Sequence, residues 1–208
     1  ASYSTITLNN EDIFFKDWDK KKSEDPIVLI HSGKMENYRK GQIVFLNIIK
    51  KLLNRGRNVE AIIIGDGSKR SEFIRLAEKL DILSNVEFTG WLSGFEEVKK
   101  VLRRGDIFVF PTVGEGLPRT IIEAMANGLV CVSSPVDGVL ELIDTNLLAD
   151  YNDIDKFVNI IENLIDNPKL MKKISEDNVI KAQSYTEDKL QIRRRKFYTN
   201  LFNVSTLK

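Results

Sequence analysis

The 208-residue chain carries 42% hydrophobic and 29% charged residues, an ordinary balance for a globular protein that can bury a core without cross-links. Its 31 Lys and Arg against 30 Asp and Glu leave a net charge of +1, which removes any global argument for nucleic acid as a partner. One cysteine excludes an intrachain disulfide, one histidine excludes a zinc site of the usual kind, and no stretch approaches the roughly 18 apolar residues of a membrane span.

In chain order, residues 1–25 are polar and weakly patterned and are expected to form a lead-in. The opening Ala1-Ser2-Tyr3-Ser4 shows no basic-then-apolar signal pattern, so a cytoplasmic protein is expected. A strand is predicted over 26–31, then a helix over 40–53 with its apolar residues mostly on one stripe. A strand over 59–64 and a helix over 68–80, capped by Ser68, come next. Strands over 86–88, 106–110 and 129–133 alternate with helices over 95–103 and 118–127. Pro118 suits the first helical turn, and Gly128 suits the stop. Several strands are apolar on both faces, as in Ile62-Ile63-Ile64, which fits strands covered by helices on both sides. A short strand over 147–149 and helices over 154–165, 169–182 and 187–202 complete the chain. Fold class follows: α/β, a Rossmann-like parallel sheet with helices on both faces, spanning 26–183, with a C-terminal helix in 184–208.

In an open parallel sheet, ligands bind at the carboxyl ends of the strands. Four loops fall there. The first runs from Gly33-Lys34 to Tyr38-Arg39-Lys40-Gly41 and offers three cations beside a helix N-terminus, suited to phosphates or simply to a basic surface. The second, Gly65-Asp66-Gly67, either lets backbone amides approach an anion or only makes a tight turn. In the third, Trp91 either walls a base site or joins the core. The fourth is Pro111-Thr112-Val113-Gly114-Glu115-Gly116-Leu117-Pro118-Arg119-Thr120-Ile121-Ile122-Glu123. Here Glu115 is flanked by glycines and Glu123 sits in an otherwise apolar helix, where a carboxylate is costly unless something binds it. Sugar or ribose hydroxyls are suitable partners; a salt bridge to Arg119 is the alternative. His31 and Cys131, both in apolar strands, are expected to be structural.

These residues resemble the C-terminal domain of retaining, GT-B-fold glycosyltransferases of the large family 4, or group 1. The match rests on Gly33-Lys34 with Lys40-Gly41, on Gly65-Asp66-Gly67, and on the two glutamates separated by seven residues. The resemblance implies catalytic roles for Lys34, Lys40 and Glu115, with the two lysines on the donor's diphosphate and Glu115 on its sugar. It further implies donor contacts from Gly33, Gly65, Gly67, Trp91, Gly116, Leu117 and Glu123, the last on the ribose hydroxyls. Relatives usually carry Arg where this chain has Lys34, which exchanges a bidentate fork for a point charge. The donor would be a UDP-, GDP- or ADP-sugar, with no cofactor and no metal. The acceptor, a glycan or glycolipid, would come through an N-terminal domain, and Ile6-Thr7-Leu8-Asn9-Asn10 resembles the entry segment to the second domain. The chain is thus expected to be part of a longer bacterial enzyme of envelope polysaccharide synthesis, inactive by itself, touching the inner face of the plasma membrane. Two alternatives stay open, an epimerase of GT-B fold and a non-catalytic nucleotide-binding module.

Overall fold

The apolar runs become five strands in a computed structural model, which describes residues 8–205, with side chains described up to residue 199. They are β1 (Ile27–Ser32), β2 (Val59–Ile64), β3 (Val86–Gly90), β4 (Ile107–Phe110) and β5 (Val130–Ser133). Their order in the sheet is β3-β2-β1-β4-β5, and every neighbouring pair is parallel. Ile27 lies opposite Val59, Leu29 opposite Ile107 and Ile107 opposite Val130. Every residue of β4 and of the edge strand β5 is buried, as expected for strands covered on both faces.

Helices α1 (Gln42–Asn54), α2 (Arg70–Lys79), α3 (Phe95–Leu102) and α4 (Arg119–Ala126) make the crossovers. Right-handed connection places α1 and α2 on one face of this strand order and α3 and α4 on the other. Then α5 (Ile154–Asp166) packs on α1 and α6 (Pro168–Ala182) packs on α4, and α7 (Glu187–Ser205) follows. The expected α/β class, a Rossmann-like parallel sheet between helices, is the fold observed.

Several local expectations need correction. Lys40 lies outside α1, because Gly41 takes the N-cap position at φ 81°, a left-handed conformation that ends the preceding loop. Ser68 does not cap α2; its hydroxyl donates to Glu36 and the helix begins two residues later. Pro118 is the N-cap of α4 rather than its first residue, while Pro168 opens α6 instead of merely preceding it. The strand expected over 147–149 is a single bridge between Leu148 and Ser133, since Thr145–Leu147 winds into a 3-10 turn.

The lead-in residues that are described fasten to the sheet. Leu8 bridges Thr186 and is fully buried, and Phe14 N donates to Ala126 O at 2.8 Å. Lys16 and Lys21 reach the buried Asp106 carboxylate at 2.6 and 2.5 Å, and Lys99 meets Asp12 at 2.5 Å. Residues 1–7, including Ile6 and Thr7 of the expected entry segment, lie outside the described residues, as do 206–208 at the end of the expected C-terminal helix.

Candidate functional site

The sheet order reverses direction at β1, which has β2 on one side and β4 on the other. A crevice forms at such a switch point, beyond the carboxyl ends of the strands, and here the loops after β1 and β4 line it. The two loops touch closely. A Cβ on Gly41 would fall 1.7 Å from Pro111 O, so only glycine permits the approach. Val113 N and the Thr112 hydroxyl both donate to Arg39 O, at 3.1 and 3.2 Å. Across this seam the Lys40 ammonium donates to the Glu115 carboxylate, joining residues 75 apart in sequence. The Lys40 ammonium also lies 5.7 Å from the Phe110 ring centroid, and its stem crosses Gly33, where a Cβ would be 2.9 Å from Lys40 Cβ.

Lys34 is exposed, and among the described residues its ammonium has no partner. Its carbonyl and that of Gly33 accept from Gln42 Nε2 at 3.3 and 3.4 Å. Gly65 and Gly67 turn out to serve the tight packing of the β1 and β2 loops. A Cβ on Gly65 would meet Gly33 O at 2.2 Å, and one on Gly67 would meet the Met35 carbonyl carbon at 2.5 Å. Trp91 is not core: it is 74% exposed just past β3. That strand is at the sheet edge, two strand spacings or about 10 Å from β1.

Gly116 is open, with nothing near the position of a Cβ, and the half-buried Leu117 packs against the core behind it. Glu123 is half-buried on α4. Among the described residues its carboxylate has no hydrogen bond or ion pair, so the expected alternative of a salt bridge with Arg119 is not formed. Burial pushes its carboxyl above the usual range, and the more distant Arg119 charge pulls it back only in part. A half-buried carboxylate left without a partner is suited to accept hydroxyl donors.

Two residues escaped the sequence reading, Gly138 and Gln42, and Arg39 entered it only as one of the loop's three cations. Gly138, after β5, supports the Gly116 loop, for a Cβ there would lie 1.6 Å from Gly116 O. Its signal was a glycine following a strand end. Gln42, fully buried, ties down the backbone of Gly33 and Lys34 while its Oε1 stays without a partner. It stood out as a polar residue opening an apolar helix. Arg39 brings its guanidinium to the same mouth, 3.6 Å from where a Gly114 Cβ would be.

Other parts of the molecule do not compete with this crevice. A cavity of about 510 Å³ lies at the opposite end of the sheet, lined in part by Trp18, Gly56 and Lys169. Its cations are largely spent: Lys21 on Asp106, Arg57 on Glu162 and Asp166, Lys172 on Asp19. The Asp-x-Asp triplets Asp17-Trp18-Asp19 and Asp153-Ile154-Asp155 are engaged with Lys20, Lys172, Lys51 and Arg55 or in capping α5. Among the described residues no group of three or more His, Cys, Asp or Glu could hold a metal ion, and no helix is long and apolar enough to cross a membrane. His31 and Cys131 are buried as expected, His31 with its Nδ1 2.9 Å from Val109 O.

Comparison with known proteins bears on family and fold. The family model for glycosyl transferases group 1 matches residues 12–179. Protein CapJ of Staphylococcus aureus is 29% identical over 165 residues, covering 77% of this chain and 41% of the relative. The phosphatidylinositol N-acetylglucosaminyltransferase GPI3 subunit of Saccharomyces cerevisiae is 26% identical over 192 residues, covering 90% and 42%. The chain therefore spans about two fifths of the length of these relatives. Among solved structures, Anabaena Alr3699/HepE in complex with UDP superposes with a TM-score of 0.75 at 18% identity, over 86% of this chain and 50% of that one.

Proposed function

The chain belongs to the group 1 glycosyltransferase family, and we propose that it is the donor-binding half of a retaining enzyme. Its substrate would be a nucleotide-diphosphate hexose, and its acceptor a glycan or glycolipid hydroxyl. The observation that carries this reading is the seam at the β1–β4 switch point, where Lys40 meets Glu115 on a glycine loop and Arg39 reaches the same loop at Gly114, while Lys34 after β1 and Glu123 on α4 stand without side-chain partners among the described residues. Lys34 and Lys40, with amides at the N-termini of α1 and α4, would stabilise the charge that grows on the leaving diphosphate. Glu115 would orient the sugar and Glu123 would accept from the ribose hydroxyls. None of these roles calls for a metal or cofactor. Uridine is the base to try first, because a neighbour of the same fold is held with UDP. The acceptor is expected from a second domain, the reaction from the cytoplasmic side of the plasma membrane, and the product in bacterial envelope polysaccharide or glycolipid.

A thermal-shift panel with UDP, GDP, ADP and their sugars tests this. A ligand at 100 times its dissociation constant stabilises a native-only binder by about 2.7 kcal/mol. One nucleotide series is expected to raise the melting temperature, and Lys40→Ala to abolish the rise. A rise that survives in Lys40→Ala contradicts the assignment.

A further inference from the structure

We infer that Glu115 is an internal competitor of the nucleoside diphosphate for Lys40, so that the site favours a nucleotide that carries a sugar over the sugar-free diphosphate left after transfer. The inference rests on the reading of this crevice as a donor site and adds to it a device for product release.

Lys40 has little freedom. Its stem lies across Gly33, its ammonium sits near the Phe110 ring, and its hydrogen-bonding partner is Glu115. The lysine side chain is 33% exposed and the glutamate 16%, so water screens the pair only in part. Among the described residues Glu115 has no other cation bonded to it. A β-phosphate that reaches Lys40 therefore arrives beside a carboxylate, and two anions contend for one ammonium. Like charges brought together at a partly desolvated contact disfavour binding.

A sugar on the β-phosphate changes the balance. Its hydroxyls donate to the carboxylate, which then has partners of its own while the phosphate takes the ammonium. The free diphosphate brings no such donors to that position, since the ribose hydroxyls lie at the other end of the molecule. Among the described residues Lys34 and Arg39 bear no carboxylate partner, so they attract either nucleotide alike. Glu115 is thus the residue that distinguishes the two.

Isothermal titration of the 208-residue chain and its Glu115→Gln variant with UMP, UDP and UDP-glucose tests this, or with the matching series of whichever base the thermal-shift panel selects. Glu115→Gln is expected to bind UDP about tenfold tighter, to leave UMP unchanged, and to narrow the preference for UDP-glucose over UDP. In the Lys40→Gln background the same substitution is expected to bring no gain, because the competition acts through that ammonium. Equal UDP affinity in wild type and Glu115→Gln overturns the inference and leaves the donor reading standing. A tenfold gain that persists without Lys40 overturns it too. If no nucleotide of any base binds, the donor reading falls and this inference with it.

Discussion

His31 shows how burial alone sets a side chain's chemistry. Its ring stacks 5.2 Å from Phe45, its Nδ1 meets Val109 O, and burial holds its pKa down to about 4. The unfolded chain, near 6.5, binds this proton more readily, so stability is full above that value and falls as pH drops toward 4. The loss over that window is roughly 3 kcal/mol, and urea unfolding at a series of pH values should show it. A His31→Asn variant should lose the slope whatever its baseline stability; an unchanged slope would assign it to other groups. Glu123 works in the opposite sense. Its carboxyl is raised by burial, so the folded state holds the proton longer than the unfolded state. Its contribution declines as pH rises through the range above the ordinary glutamate value. Glu123→Gln is expected to flatten that decline and to weaken the preference for ribose over deoxyribose nucleotides. Retained discrimination would return Glu123 to a purely structural role.

At the scale of elements, the loops are held against one another by close backbone contacts at their glycines. Gly138→Ala should push the Gly116 loop out of place, because a Cβ would enter the space of Gly116 O. Overpacking of this kind costs about 1–3 kcal/mol, and denaturant unfolding together with nucleotide titration would measure both consequences. A variant with native stability and native binding would show that the loop yields without effect. The strands were legible in the sequence because apolar runs such as Ile62-Ile63-Ile64 admit one arrangement, covered on both faces. Glu123 stood out in the sequence because a carboxylate among Ile121, Ile122 and Met125 is out of place, and the fold leaves it half-buried. The Lys40–Glu115 contact was not legible, since no local pattern joins loops so far apart in sequence. Helix starts were misplaced where a glycine at positive φ, as at Gly41, decides the boundary against propensity.

Across the whole molecule the sheet separates two charged regions. At one end Asp106, fully buried, gathers Lys16 and Lys21 and also accepts from Val28 N at 2.8 Å. This fastens the segment before β1 to the sheet, a role hidden in the sequence because the partners are 85 and 90 residues away. Asp106→Asn would leave two lysines without their counter-charge, and a loss of about 3–5 kcal/mol in denaturant unfolding is expected. A loss below 1 kcal/mol would mean that the lysines simply turn to solvent. At the other end, the crevice between β1 and β4 brings Lys40, Arg39 and Glu115 to one mouth. The central claim is that nucleotide sugars bind there, and amide chemical-shift mapping during titration with UDP-glucose, or the donor of the selected base, tests it most directly. The account predicts shifts clustered at Gly33–Gly41, Gly65–Gly67 and Gly114–Glu123; shifts confined to Trp18, Gly56 and Lys169, at the far cavity, would contradict it.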